Sequence, residues 1–386
     1  MRRGPLLALL VLLLVAGGIL AVLSLGGAED RPQAAGLELL EWDPDRADAF
    51  VERATRGHSP VLYEKSPGGV RSSARRVARL RSPIEASAQD AGVDPDVLEA
   101  MVFLESAGRE DARAGDDLEG AVGLTQILAG TATELLGMRV DVAAAERLTT
   151  AIGRAEESGR TARAQRLRAR RRAVDERFDP TEALKGAGRY LRIARERLGG
   201  EELAVVSYHM GIGNVQTVLE AYGEDDPSWA SVYFGSTPVD HVRAYRFLYR
   251  LGDDSATYLW RVYAAREIMR RHREGMLASR PPGEPARGEP VGLPEDAGLR
   301  CAGGDCALAR EAAPVVEALG RGVREIAHTG APLTVARAGG ARLEIRRRYD
   351  GERQAEAFQF MLDRMETLAL IRWERRGGLI ALTVLR

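Results

Sequence analysis

From residue 81 to about residue 273 the apolar positions recur three and four apart, in runs broken by short polar turns. That is the period of helices that bury one face. Ser82-Pro83 opens one such run, and Gly92 closes it. Asp94 is a fitting N-cap and Pro95 suits the first turn of the next helix, on which Leu98, Met101 and Glu105 share a face. GAVGL reads as a glycine turn, and GLTQILAGTATELLG as a continuation into a helix that stops near Gly137. Residues 141–174 form a long polar insertion with Gly159 near its middle, read as a helical hairpin projecting from the domain. Asp179-Pro180-Thr181-Glu182 is a capping box, and the stripe of Leu184, Ala187, Leu191 and Leu198 runs from it to Gly199-Gly200. ELAVVSYHMGIGNV reads as a short buried helix, a glycine turn and a new helix start at Asn214. HVRAYRFLYR and SATYLWRVYAAREIMRRH are two more amphipathic helices. The expectation is an all-α domain over residues 81–273.

The flanks show other patterns. Met1-Arg2-Arg3 is a basic leader, and Pro5 to Gly27 is uncharged and rich in Leu, Val, Ala and Gly. Such a stretch is long enough to cross a bilayer, and arginine before it with Glu29-Asp30 after it places the rest of the chain outside the cytoplasm. Residues 1–28 are therefore read as a single-pass membrane anchor; a signal peptide cleaved near Gly26-Gly27-Ala28 is the alternative. Residues 29–80 read as a membrane-proximal stalk with helical patches, in which SPVLYEKSPGG is turn-forming. Proline and glycine dominate residues 274–300, which read as an extended linker. Residues 301–386 read as a small α+β domain: a helix over Leu308 to Ile326, strands at LTVAR and ARLEIRR, and a helix with Phe358, Met361, Leu362, Met365 and Leu368 on one face. A terminal hairpin turning at Gly377-Gly378 completes it.

Composition removes several chemistries. The net charge of −1 argues against a bulk polyanion as partner, and no Walker loop, dinucleotide fingerprint or nucleic-acid module is present. The five histidines are scattered, and two cysteines cannot make a four-ligand metal site, so no cofactor is expected. Cys301 and Cys306 can pair outside the cytoplasm, with free thiols as the alternative. The arginine run of the insertion is either a solvated face or a contact for polyanions or lipid headgroups. Glu105 is the candidate general acid: a carboxyl continuing a core-facing stripe is costly to bury as a charge, so its pKa should be raised; the alternative, on this residue alone, is a carboxylate that merely emerges at the helix end before Gly108.

ESAG, GAVGLTQILAGTA, FDPTEALKGAGRYL and SYHMGIGNV stand in the order found in lytic transglycosylases of the SLT type, and over roughly residues 83–250 the chain resembles that family. The resemblance implies the goose-type lysozyme fold for the central domain. It also implies cleavage of the β-1,4 bond between N-acetylmuramic acid and N-acetylglucosamine in peptidoglycan, leaving a 1,6-anhydro product. Glu105 matches the family's catalytic glutamate, general acid first and base second. Ser106 matches the residue that helps orient it. Gly123, Leu124, Gln126 and Ile127 match the block that lines the sugar cleft, and Tyr208 matches the tyrosine close to the catalytic carboxyl. Gly211, Gly213, Asn214 and Val215 complete that last block, and Tyr249 matches the last tyrosine of a tyrosine-rich helix.

This chain also departs from the family. Thr125 stands in place of methionine, Ala129 of proline, His209 and Met210 of asparagine and alanine, and His241 of a tyrosine. Asp116, Asp117 and Glu119 add carboxylates that could face the cleft; if one positioned a water, the enzyme would hydrolyse rather than cyclise. GARLEI, AFQFMLDRMETLALIRW and LIALTV more faintly resemble zinc D-Ala-D-Ala carboxypeptidases. Arg337, Ala381 and Glu344 stand where that family has its zinc ligands, and a zinc site cannot be built from that set of side chains. The C-terminal domain is accordingly read as non-catalytic. The fold expected is mainly α, and the expected function is a membrane-anchored lytic transglycosylase acting on glycan strands on the wall side of the membrane, with no nucleic-acid partner. A lysozyme-type hydrolase and a non-catalytic peptidoglycan-binding protein are the alternatives.

Overall fold

A computed structural model describes residues 40–293, 296–303 and 306–386. The apolar stretch expected to anchor the chain lies outside them, and among the described residues no helix is long and apolar enough to cross a membrane.

Two helices open the fold, α1 (Ala47–Lys65) and α2 (Val70–Ala78). They correct the expected stalk. Phe50, Ala54, Leu62 and Tyr63 of α1 and Val70, Ala74 and Val77 of α2 are buried in the main core. SPVLYEK is helical, with Pro60 inside α1. Helix α3 (Arg81–Ala91) ends on Gly92 in the left-handed conformation, and α4 (Pro95–Ser106) is capped by Asp94, whose carboxylate accepts the Asp96 N–H at 2.8 Å. Val97, Leu98, Ala100, Met101, Val102 and Phe103 are all buried, so α4 is apolar almost all round and runs through the middle of the domain.

A turn-rich segment comes next and carries a single π-helical turn, Thr131–Leu135, where a longer helix was expected. The insertion is the expected hairpin: α5 (Val142–Glu157) and α6 (Thr161–Val174) turn at Gly159 and enclose a small core of their own, Ile152, Ala155, Ala164 and Leu167. Its arginines are not simply a solvated face. Arg168 and Arg171 bind Asp111, Arg172 binds Glu110 at 2.6 Å, and Arg171 lies 3.7 Å over the Phe178 ring. Helix α7 (Pro180–Leu198) starts on the expected box, Asp179 accepting the N–H groups of Thr181 and Glu182, and ends at Gly199. Then come α8 (Glu201–Met210), α9 (Ile212–Tyr222), α10 (Trp229–Gly235), α11 (Val242–Leu251) and α12 (Tyr258–Arg273). Helix α9 begins two residues before Asn214, with Gly211 at φ 85° as its N-cap. Helix α12 packs along α4 and α1 and forms the other half of the central layer.

The presumed linker is largely part of a sheet. Strand β1 (Pro290–Gly292) pairs antiparallel with β3 (Ala307–Ala309), and β2 (Leu299–Cys301) runs parallel to the first half of β4 (Leu333–Gly340). Strand β3 pairs parallel with the far end of β4, and Cys301 is bridged to Cys306, tying together the two short segments along that edge. Helix α13 (Ala313–Ala327) starts later than expected because Leu308 is in β3. Strand β5 (Arg342–Arg346), helix α14 (Glu352–Thr367), β6 (Ile371–Arg376) and β7 (Leu379–Val384) complete the order β1-β3-β4-β5-β7-β6, with β6 and β7 as the expected hairpin. Arg337 pairs with Glu344 and Glu344 with Ala381 across neighbouring strands, a set with one carboxylate and no imidazole.

The C-terminal part is not hung on a linker; it shares the main core with the helices. Arg364 of α14 is buried and donates to the carbonyls of Tyr233, Phe234 and Ser236 at the end of α10. Arg53 of α1 donates to the Leu368 carbonyl at 3.2 Å, across 315 positions of sequence. Gly57 of α1 comes so close to the end of α14 that a Cβ there would lie 2.2 Å from the Thr367 carbonyl oxygen. Helix α1 is thereby held between α12 and α14.

Candidate active site

Glu105 stands in the last turn of α4, and the chain leaves the helix through Ala107 at φ 53° and Gly108 at φ 73°. The turn is pinned from outside. Arg76 donates to the Ala107 carbonyl at 2.9 Å, and a Cβ on Gly108 would lie 2.9 Å from the backbone nitrogen of Val77. Glycine is therefore required there twice, for the left-handed backbone and for the close approach of α2.

The carboxyl group is half-buried and faces a pocket of about 160 Å³. Leu62, Lys65, Pro67, Phe103, Arg109 and Arg261 are among its lining residues. Glu105 is the single acid lining it among the described residues, beside three cationic side chains. Burial pushes the Glu105 pKa up to about 7, while the hydrogen bond from Tyr258 and the charge of Arg261 hold it back. The Tyr258 hydroxyl donates to Oε1 at 2.6 Å, and burial together with the Glu105 charge keeps that phenol protonated. Arg261 lies one turn further along α12, on the same face, and pairs with Asp254. The His209 ring stacks on Tyr258 with centroids 5.2 Å apart and shares a 2.8 Å hydrogen bond with Ser255. His209 thus braces the tyrosine that holds the carboxyl.

The other expected residues divide into those near the carboxyl and those that build its frame. Tyr208 is near: the Glu105 charge adds to burial in raising its pKa, and its hydroxyl donates 2.7 Å to the Thr125 carbonyl. Ser106 does not orient the glutamate; its hydroxyl bonds to the Val102 carbonyl and receives the Gly108 N–H. Leu124 and Ile127 are core residues rather than cleft lining. Gly123, at φ 78°, passes so close to Arg177 that a Cβ would lie 1.9 Å from its carbonyl oxygen. The Gln126 amide donates to the carbonyls of Gly123 and Ala112, closing its own loop. Gly211 supplies a positive φ at a helix start, and the Asn214 amide donates to the Met210 carbonyl. Tyr249 is 56% exposed, stacks on Tyr245 and does not line the Glu105 pocket. Asp116, Asp117 and Glu119 are exposed, and none of them bonds to Glu105 or to the groups that hold it.

Sequence reasoning missed Tyr258, Arg261 and Arg177. The first two stand three apart on an apolar helix, a spacing that marks a shared face, but nothing local says that the face meets Glu105. Arg177 is wholly buried against Asp175 and donates to the carbonyls of Leu118, Gly120 and Ile127, so one guanidinium nails down the loop that carries the glycine block.

Residues 158–229 match the family model of the transglycosylase SLT domain. The match begins in the turn of the α5–α6 hairpin and takes in Tyr208, Gly211 and Asn214, while Glu105 lies before it. No curated protein matches the chain. Among solved structures, an inactive mutant of the lytic transglycosylase Slt from Pseudomonas aeruginosa is 19% identical, with a TM-score of 0.32 over 52% of this chain and 25% of that one. This chain thus spans about a quarter of the length of that protein. The family match thus makes residues 158–229, within the helical part, similar to the transglycosylase SLT domain.

Proposed function

We propose that the protein is a lytic transglycosylase that cuts the N-acetylmuramyl-β-1,4-N-acetylglucosamine bond of peptidoglycan with Glu105 as acid and then base. The observation that carries this reading is a lone carboxyl, raised to about 7, in a pocket whose other charged groups are cationic. Near neutral pH a large share of Glu105 is protonated and can give its proton to the glycosidic oxygen as the C1–O bond breaks. The carboxylate left behind is steadied by Tyr258 and Arg261, then takes the proton of the muramyl C6 hydroxyl as O6 closes on C1. The carboxyl is restored, no water is consumed, and the product is a 1,6-anhydro ring. Hydrolysis by a carboxylate pair would need a second acid at a defined separation, and the pocket offers none among the described residues. The substrate places the protein's action in the cell envelope, on the outer side of the cytoplasmic membrane.

Purified protein is expected to release anhydro-muropeptides from sacculi, and Glu105→Gln to abolish release with the fold intact. Products one water heavier, with reducing ends, would replace this reading by a muramidase. Full activity of the variant would remove Glu105 from the chemistry.

A further inference from the structure

Behind the Glu105 pocket lies a larger cavity of about 390 Å³ between α1, the α11–α12 turn and the end of the sheet. It shares Val61, Lys65 and Arg261 with the Glu105 pocket, so the two are neighbours across a wall of three side chains. Three nitrogens on its lining side chains, His58 Nε2, Arg261 Nε and Arg372 Nε, are buried with no hydrogen-bond partner among the described residues. Buried polar nitrogens without partners are costly in a folded protein, and two of these, on Arg261 and Arg372, are fixed donors that call for an acceptor, while burial keeps the His58 ring neutral. Arg56, Lys65 and Arg372 add cationic groups, and Lys65 and Arg372 form no ion pair among the described residues. Of the acids in the lining, Asp254 is paired with Arg261, Glu64 is exposed to solvent, and burial with the nearby Asp363 raises the Glu366 pKa to about 7.

We propose that this cavity is a binding site for a carboxylate-bearing peptide, specifically the peptide carried by the muramyl residue of the strand being cut. The inference rests on the transglycosylase reading for the identity of the strand. That peptide hangs from the sugar next to the scissile bond, and Val61, Lys65 and Arg261 line both the Glu105 pocket and this cavity. Carboxylates of the peptide then meet the guanidinium of Arg372 and the ammonium of Lys65 in a site with few competing acids. Arg372 belongs to β6, so the C-terminal sheet takes part in substrate selection although it holds no catalytic group.

The test compares peptide-bearing glycan strands with the same strands stripped by an amidase, together with calorimetric binding of N-acetylmuramyl-tetrapeptide to full-length protein carrying Glu105→Gln. Native protein is expected to favour peptide-bearing strands in kcat/KM by about tenfold or more, the worth of one charge-assisted hydrogen bond. Arg372→Ala should erase the preference and the tetrapeptide binding, leaving cleavage of stripped strands unchanged, since Arg372 does not line the Glu105 pocket. Arg372→Lys should restore part of both. Arg56→Ala, a change on the exposed side of α1, should weaken both without touching the fold. Equal cleavage of the two strands by native protein, or equal losses on both in the variants, overturns the proposal. If neither strand is cut but the tetrapeptide binds in an Arg372-dependent way, the site stands and the transglycosylase reading falls; absence of binding removes the site.

Discussion

Glu105→Gln should stabilise the protein, and only above a defined pH. The folded chain keeps the Glu105 proton up to about pH 7, whereas the unfolded chain gives it up near the ordinary value of 4.5. Between those limits the folded state binds more protons than the unfolded one, so stability falls as pH rises, and the loss is complete above pH 7. At about 1.4 kcal/mol per tenfold change in proton affinity, the gap amounts to about 3 kcal/mol at most. The open side of the pocket screens part of it, so about 2 kcal/mol is the expected figure. Glutamine keeps the shape and an oxygen that can accept from Tyr258 but has no charge to bury. Urea unfolding of both proteins across pH 4 to 8 measures the difference, in which the titrations common to both cancel. Near pH 4 the two curves should coincide, and near pH 8 the variant should be the more stable by about 2 kcal/mol. A difference that is the same at both ends, or of opposite sign at pH 8, would refute the account of a buried, destabilised carboxylate.

Other perturbations draw on the same geometry. Tyr258→Phe removes the donor that favours the charged form of Glu105, so the alkaline limb of the pH–rate profile should move up by about one pH unit, the worth of a hydrogen bond to a charged group; a limb that stays in place would deny Tyr258 that role. Arg177→Leu leaves Asp175 and three carbonyls without their partner in the core, and thermal unfolding should register a loss of about 3–5 kcal/mol. Gly57→Ala presses a methyl group into the carbonyl of Thr367 and should cost about 1–3 kcal/mol, with amide exchange accelerated first in α14.

Much of the helical frame was legible because its signals are local. Asp94-Pro95, Asp179-Pro180 with Glu182, and glycines at 92 and 199 are capping chemistry that acts within a turn or two, and each caps where expected. The terminal hairpin was legible for the same reason. The features that could not be read depend on distant partners. Residues 47–78 are polar enough to pass for a stalk, yet their thin apolar stripes find α12 and α14. Residues 290–292 and 299–301 pair because β3 and β4 lie beside them, which no proline-rich run announces. In the site the motif pattern named Glu105, Tyr208 and Tyr249 and passed over Tyr258. A tyrosine's place in a helix pattern does not say which way that helix faces, and Tyr249 turned out to meet solvent while Tyr258 meets the carboxyl.

The placement of α1 between α12 and α14 has a consequence for biosynthesis. Helix α1 is made before every other described α-helix, and it supplies Val61 and Lys65 to the wall of the Glu105 pocket. The partners that hold it there, through Arg53, Gly57 and the end of α14, are made some three hundred residues later. Contacts so far apart in sequence form late. A nascent or truncated chain therefore contains Glu105 without a finished site around it. Assembly itself becomes a delay: the pocket around Glu105 is complete only after the last helix has docked.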